Sequence, residues 1–246
     1  MLQDVWKGLA AYGTAIKLLT KQGWWKYALI PGFISLIFAG IVLSLAWFFG
    51  DNIGKMLISI YPFEQGREAA TTVANIIGGA IIIVAGLILY QNIVMLLVSP
   101  WMTKLSIKIE QSVTGRDYID ERSFSVAFSR TVRLNLRIIA REVALIILVF
   151  MVGIIPVIDF AVPVLLFLVQ AYYAGYGNLD YFMDRRYTVK ESVQFVGKNK
   201  GIALGNGIGF LLLLMIPVLG VFLAPTLGMS AATLSGIDVA IKNDEI

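Results

Sequence analysis

Two runs without a charged side chain, Tyr27 to Phe49 and Ala69 to Thr103, limit what this chain can fold into more than any other feature of it. The first holds 23 residues. As a helix it extends about 34 Å at about 1.5 Å per residue, enough for a hydrocarbon core about 30 Å thick. The second holds 35 residues and crosses with turns to spare, with Pro100 expected to bend or end it. The composition agrees. At 58% hydrophobic and 15% charged, the chain carries too little charge to coat a water-soluble globule. Ser44-Leu45-Ala46 faintly imitates a leader's cleavage site, yet the run is long for a secretory leader and bulky Trp47, Phe48 and Phe49 follow at once. The expectation is an all-α integral membrane protein, a single membrane domain over 1–246, with spans at about 27–49 and 71–100.

The two later apolar blocks, about 143–179 and 201–237, are interrupted by prolines. Before Pro156 lie 13 apolar residues, about 20 Å of helix, which falls short of the core. The arms Gly201 to Ile216 and Thr226 to Ile237, flanking Pro217, Gly220 and Pro225, hold 16 and 12 residues, about 24 and 18 Å. Both blocks therefore read as re-entrant, hemi-penetrating helical hairpins, the first turning around Pro156, Asp159 and Pro163. Their tips, Ile155-Pro156-Val157-Ile158-Asp159 and Ile216-Pro217-Val218-Leu219-Gly220, read as an internal repeat or as two independently acquired proline turns. Paired interrupted segments are a pointer to a transport site.

Lys and Arg number four before the first span, two in the loop between the spans, eight from Lys104 to Arg141, five from Asp180 to Lys200, and one after that. With two spans and two returning hairpins, the loop of two faces one side and all the rest face the other. The positive-inside rule makes the rich side cytoplasmic, with both termini there and a basic cytoplasmic segment at 104–142.

Zero Cys and zero His remove disulfides, Cys/His zinc sites and every catalytic arrangement that needs a thiol or an imidazole. No enzyme, no cofactor and no metal site is expected. Arg130, Arg133, Arg137 and Arg141, spaced three, four and four, form one stripe on a helix. That stripe is either the polar face of a cytoplasmic amphipathic helix on anionic headgroups or an electropositive funnel for an anion. Gly201, Gly205 and Gly209 mark a close helix contact, as do Gly78, Gly79 and Gly86, the alternative being that Gly205-Asn206-Gly207 offers backbone N–H groups to an anion without the ending of a P-loop. Asp159 is either a proton-coupling group or a cap at a half-helix start. Asn178, Asp180 and Asp184 with Arg185 and Arg186 read as an ion-paired turn rather than a metal site. Trp24, Trp25, Tyr27, Trp101, Tyr172, Tyr173 and Tyr176 read as interface anchors. The basic residues hug membrane boundaries, so no nucleic-acid partner is expected.

Two long spans, a basic segment, the stretch Gln170-Ala171-Tyr172-Tyr173-Ala174-Gly175-Tyr176-Gly177-Asn178-Leu179-Asp180-Tyr181 and the Ile-Pro-Val tip followed by Ala224-Pro225 resemble the CysZ sulfate permeases and the related etoposide-induced-protein-like family. The resemblance covers about residues 8–235. It implies sulfate uptake for cysteine synthesis, hemi-penetrating hairpins and a homo-oligomer. It also implies an anion site where a Gly, an apolar residue and an Arg pair precede the first span. Here that place is Gly23-Trp24-Trp25-Lys26: the glycine is kept, and Trp25 and Lys26 stand where the arginines would be. Lys26 keeps one charge without the bidentate fork of Arg. A non-transporting, lipid-binding or scaffolding membrane protein is the alternative reading.

Overall fold

A computed structural model of the chain describes residues 1–59, 66–116, 124–153 and 159–244, and every regular element among them is helical. Helix α1 (Leu2–Gln22) stops at Gly23, which takes a left-handed φ of 67° and donates its N–H to the Leu19 and Thr20 carbonyls. A short 3-10 turn, Trp24–Ala28, leads into α2 (Leu29–Ile58). Then come α3 (Arg67–Thr114), α4 (Phe124–Gly153), a 3-10 turn at Asp159–Ala161, α5 (Val162–Met183), α6 (Val189–Lys198), α7 (Lys200–Leu214) and α8 (Leu219–Lys242).

Three prolines act more weakly than the sequence suggests. Pro100 sits inside α3 without ending it. Pro225 sits inside α8, so the expected 12-residue arm is part of a helix of 24 residues, about 36 Å long. Pro163 occupies the first turn of α5, where its missing N–H is no loss. An internal proline removes one backbone bond, and the buried face from Ala224 to Thr233 holds α8 together across that gap. Likewise α4 is one 30-residue helix, joining the basic segment to the apolar arm that follows it. Among the described residues two helical stretches are long and apolar enough to cross a membrane, Trp24–Ile58 and Leu219–Lys242. The first carries the expected first span. The second is the one the proline pattern had divided.

The chain divides into two compact units. One is Phe33–Val94, where α2 and the first part of α3 run antiparallel, with Gly50 against Gly78 and Gly79, Gly54 against Asn75, and Gly86 against Val42. A Cβ on Gly78 would lie 2.3 Å from the Gly50 carbonyl oxygen, so only glycine lets these backbones meet. Outward-facing Phe33, Ile37, Ile41, Trp47, Phe48 and Ile76 are all exposed, as befits helices whose solvent is lipid.

The other unit comprises Met1–Gly32 with Met95–Ile246, and α7 lies at its centre. Gly201, Gly205 and Gly209 meet Met1, Val5 and Tyr12, so α1 and α7 run parallel. On the opposite flank Gly207 meets Ala171 and Gly175 meets Ala203, so α5 runs antiparallel to α7. The polar atoms trapped by this packing bond to one another. Asn178 Nδ2 donates to Asn206 Oδ1 at 2.8 Å, Asn206 Nδ2 donates to the Gly228 carbonyl at 2.9 Å, and the Tyr12 hydroxyl donates to the Asn206 carbonyl at 2.7 Å. Four helices are thereby keyed to one register.

Candidate functional site

At the Gly23 to Lys26 segment, the left-handed Gly23 breaks α1 and the 3-10 turn presents Lys26 to solvent. Trp25 is held by its indole N–H, which donates to Thr20 Oγ1 at 3.1 Å. Trp24 and Trp25 are half-buried. From α3, Lys108 Nζ sits 5.6 Å above the ring of Tyr27, bringing a second ammonium beside the residue next to Lys26. Sequence spacing gave no sign of Lys108, because the two positions meet only through tertiary packing.

The arginine stripe splits. Arg130 turns inward: its Nη1 donates to Asp184 Oδ1 at 2.8 Å and to Asp180 Oδ1 and Oδ2 at 3.1 and 3.2 Å. Its Nη2 donates to Ser192 Oγ at 2.7 Å and its Nε to the Tyr187 carbonyl at 3.0 Å. This residue is a clamp tying α4 to the end of α5 and to α6, whose own start is fixed by a Thr188–Glu191 capping box. Beside it lies a second cluster absent from the sequence reading. Buried Glu110 of α3 pairs with Arg185 and Arg186, and Arg185 Nη1 also donates to Ser106 Oγ at 3.1 Å and to the Tyr181 carbonyl at 2.8 Å. Ser106 in turn meets Thr233 of α8 at 3.0 Å. The acids and arginines around residue 180 are therefore ion-paired, with partners 50 or more residues away for Asp180 and Glu110 alike.

Arg133, Arg137 and Arg141 remain exposed, and among the described residues no carboxylate pairs with them. On the facing helix, Tyr172 and Tyr173 stack edge to face at 5.2 Å, and Tyr173 and Tyr176 are buried against the protein. A narrow cleft between α3, α4 and α5 brings Ser99, Thr103, Thr131, Asn135, Asp180 and Asp184 together beside Ile138 and Tyr181. No group of three or more metal-ligating side chains occurs among the described residues.

Of the hairpin tips, Pro156 lies outside the described residues, and Asp159 begins the 3-10 turn before α5. The second tip is fully traced. Pro217 is exposed, Gly220 is buried in the first turn of α8, and Pro225 is buried six residues into that helix. Val218 adopts φ 62° and ψ −60°, and the Leu219 N–H donates to the Pro217 carbonyl at 2.6 Å, which makes a strained γ-turn. Met215, Ile216, Val218 and Leu219 around it are all exposed.

A search of curated proteins finds no match to this chain. The sequence model of the family described as sulfate transporter CysZ/etoposide-induced protein 2.4 matches residues 11–225. That match takes in the Gly23 to Lys26 turn, α2, α3, the arginine helix α4 and the second tip through Pro225. The chain belongs to the sulfate transporter CysZ/etoposide-induced protein 2.4 family.

Proposed function

We propose that the protein is a permease or channel for a small oxyanion, sulfate foremost, in a bacterial inner membrane, supplying sulfur for cysteine synthesis. The observation that carries this reading is the family match along residues 11–225. The charge distribution supports it. Lys26, Arg133, Arg137 and Arg141 are exposed cations with no carboxylate partner among the described residues, so their field is free to concentrate an anion at the cytoplasmic face. Arg130 keeps its place in the stripe but spends its charge on Asp180 and Asp184. The protein is not an enzyme in this reading, and it needs neither cofactor nor metal.

Passage requires a wet route, because a divalent anion cannot cross hydrocarbon unaided. The α7–α8 hairpin is read as re-entrant, with its tip in lipid. Five consecutive apolar residues, Met215 to Leu219, form an exposed turn that would be a liability in water. Most of the turn's backbone is satisfied internally: the N–H groups of Met215, Ile216, Leu219 and Gly220 find backbone acceptors, Pro217 has none to place, and that of Val218 alone finds none. The 143–179 block is read in the same way, with the basic half of α4 as the amphipathic helix on anionic headgroups. One protomer's hairpins are too few to enclose a polar path, so a homo-oligomer completes it. Half-helix ends along that path replace water around the ion. Both termini lie in the cytoplasm.

Uptake of labelled sulfate into proteoliposomes tests the proposal. Protein-bearing vesicles should accumulate sulfate faster than empty ones, and Lys26→Ala should slow them by about tenfold, the effect of losing one charged contact of roughly 1.4 kcal/mol. Equal uptake by empty and protein-bearing vesicles would leave the lipid-binding scaffold as the surviving reading.

A further inference from the structure

Between α1 and α8 a groove of about 330 Å³ opens over the start of α7, a volume in the range of small-ligand sites. One wall carries Lys7 and the other Asp238. These opposite charges do not pair with each other: Lys7 Nζ meets Asp4 Oδ1 at 3.1 Å on its own helix, and Asp238 holds Lys242 on α8. The two side chains are 53% and 57% exposed, so both pairs are weak and each group keeps capacity for another partner. The rest of the lining is small or apolar, with Ala10 and Ala11 from α1, Leu234 from α8 and Ile202 at the base. Thr14 and Ser235 complete it, and neither hydroxyl has a hydrogen-bond partner among the described residues, although Ser235 is only 8% exposed. A buried hydroxyl left unbonded by the protein calls for a partner from outside it.

The polarity of the groove follows the depth of the hairpin. Leu234 stands 15 residues beyond the first residue of α8, about 22 Å up from the tip and level with the start of α7. Asp238 stands one turn higher, within a headgroup layer about 5–8 Å thick on each side of the hydrocarbon. On α1, a Cβ on Gly8 would lie 2.6 Å from the Ile202 carbonyl oxygen, so Lys7 is level with the first turn of α7. Because α1 runs parallel to α7, Ala10, Ala11 and Thr14 follow toward the tip. Charges of both signs thus sit at headgroup height, with an apolar slot beneath them.

We propose that this groove binds the headgroup and glycerol of a phospholipid bearing a primary ammonium, a phosphatidylethanolamine. The phosphate sits on Lys7 and the ammonium on Asp238, while the Ser235 and Thr14 hydroxyls donate to phosphate and ester oxygens. Phosphatidylglycerol offers no cation to Asp238 and is repelled by it. Phosphatidylcholine carries a quaternary nitrogen with no N–H to donate. The inference rests on the re-entrant reading of the α7–α8 hairpin and not on transport.

The test incubates the full-length protein in neutral detergent with equal amounts of phosphatidylethanolamine, phosphatidylcholine and phosphatidylglycerol of identical chains, washes it, and counts the retained lipid by class. Phosphatidylethanolamine should exceed phosphatidylcholine by about three- to fivefold, the effect of one exposed charged contact. Asp238→Asn should erase that preference, and Lys7→Gln should lower retention of phosphatidylethanolamine and phosphatidylglycerol alike. Ala10→Leu, which fills the slot and leaves both charges in place, should lower retention of all three. Lys198→Ala, an exposed charge removed from α6, should change nothing. Both charged positions are exposed, so the variants should melt with the parent and a loss of lipid cannot be put down to misfolding. Retention in equal proportions, or a preference for phosphatidylethanolamine that survives Asp238→Asn, would overturn the site, as would a preference for phosphatidylglycerol. The assay reads headgroup choice alone, whereas the depth of the hairpin is read by labelling its tip, so either can fail without the other.

Discussion

Without the Arg130 guanidinium, Asp180 and Asp184 lose their shared cation in a buried setting, where breaking such a group costs about 3–5 kcal/mol. Arg130→Ala should therefore lower the thermal midpoint in detergent sharply, whereas Arg133→Ala, at an exposed position of the same helix, should stay within about 0.5 kcal/mol of the parent. Equal midpoints for the two variants would contradict the clamp. Spacing alone placed these arginines on one stripe and could go no further, because what turns Arg130 inward is a pair of acids 50 and 54 positions later. On the same helix, burial pushes the Glu142 carboxyl up from 4.5 to about 7. The folded chain then keeps a proton that the unfolded chain releases, so this residue's contribution to stability is greatest below about pH 4.5 and declines as pH rises to about 7. Glu142→Gln should remove that decline and raise stability near pH 8 by about 2–3 kcal/mol, read as the difference between the two melting profiles.

Between helices, the backbone rather than the side chains sets the contact. A Cβ on Gly207 would fall 1.6 Å from the Ala171 carbonyl oxygen, and neither backbone can move aside without parting α5 from α7. Gly207→Ala should cost about 2–4 kcal/mol by overpacking. Gly13→Ala, with nothing within 4 Å of the new methyl, should instead stabilise α1 by about 0.5–1 kcal/mol. Melting of the two variants side by side separates packing from helix propensity, and a stabilised Gly207→Ala would refute the contact. The every-fourth glycine pattern announced a close approach in the sequence, yet named no partner. That the partner is α1, running parallel from the far end of the chain, depends on register that no local spacing encodes. Proline was the misleading signal. It marks where one hydrogen bond is missing, and whether a helix survives that loss depends on the burial around it. Pro225 is packed on both flanks and α8 continues, whereas Pro217 lies in an exposed turn and the chain reverses there.

Across the whole molecule, the charge count and the helix lengths pull in different directions on one point. At 15 residues α7 extends about 22 Å, too short to cross, while α8 at 24 residues extends about 36 Å and is long enough. A hairpin is only as deep as its shorter arm allows, so the tip at Val218 should stop within the hydrocarbon and α8 should project its C-terminal turns, including Lys242, into the cytoplasm. The absence of cysteine makes this directly measurable, since any introduced thiol is the only one in the chain. In oriented membranes an impermeant maleimide should label Asn243→Cys from the cytoplasmic side and Ser59→Cys from the outer side. It should leave Val218→Cys unmodified from both. Labelling of Val218→Cys from the outside would mean that α8 crosses completely, and the polar route between partly inserted hairpins would then have to give way to a bundle of full spans. Because the two Lys and Arg residues of the 50–68 loop are the only ones assigned to the outer side, reversal of the Ser59 and Asn243 results would overturn the positive-inside assignment without touching the hairpin.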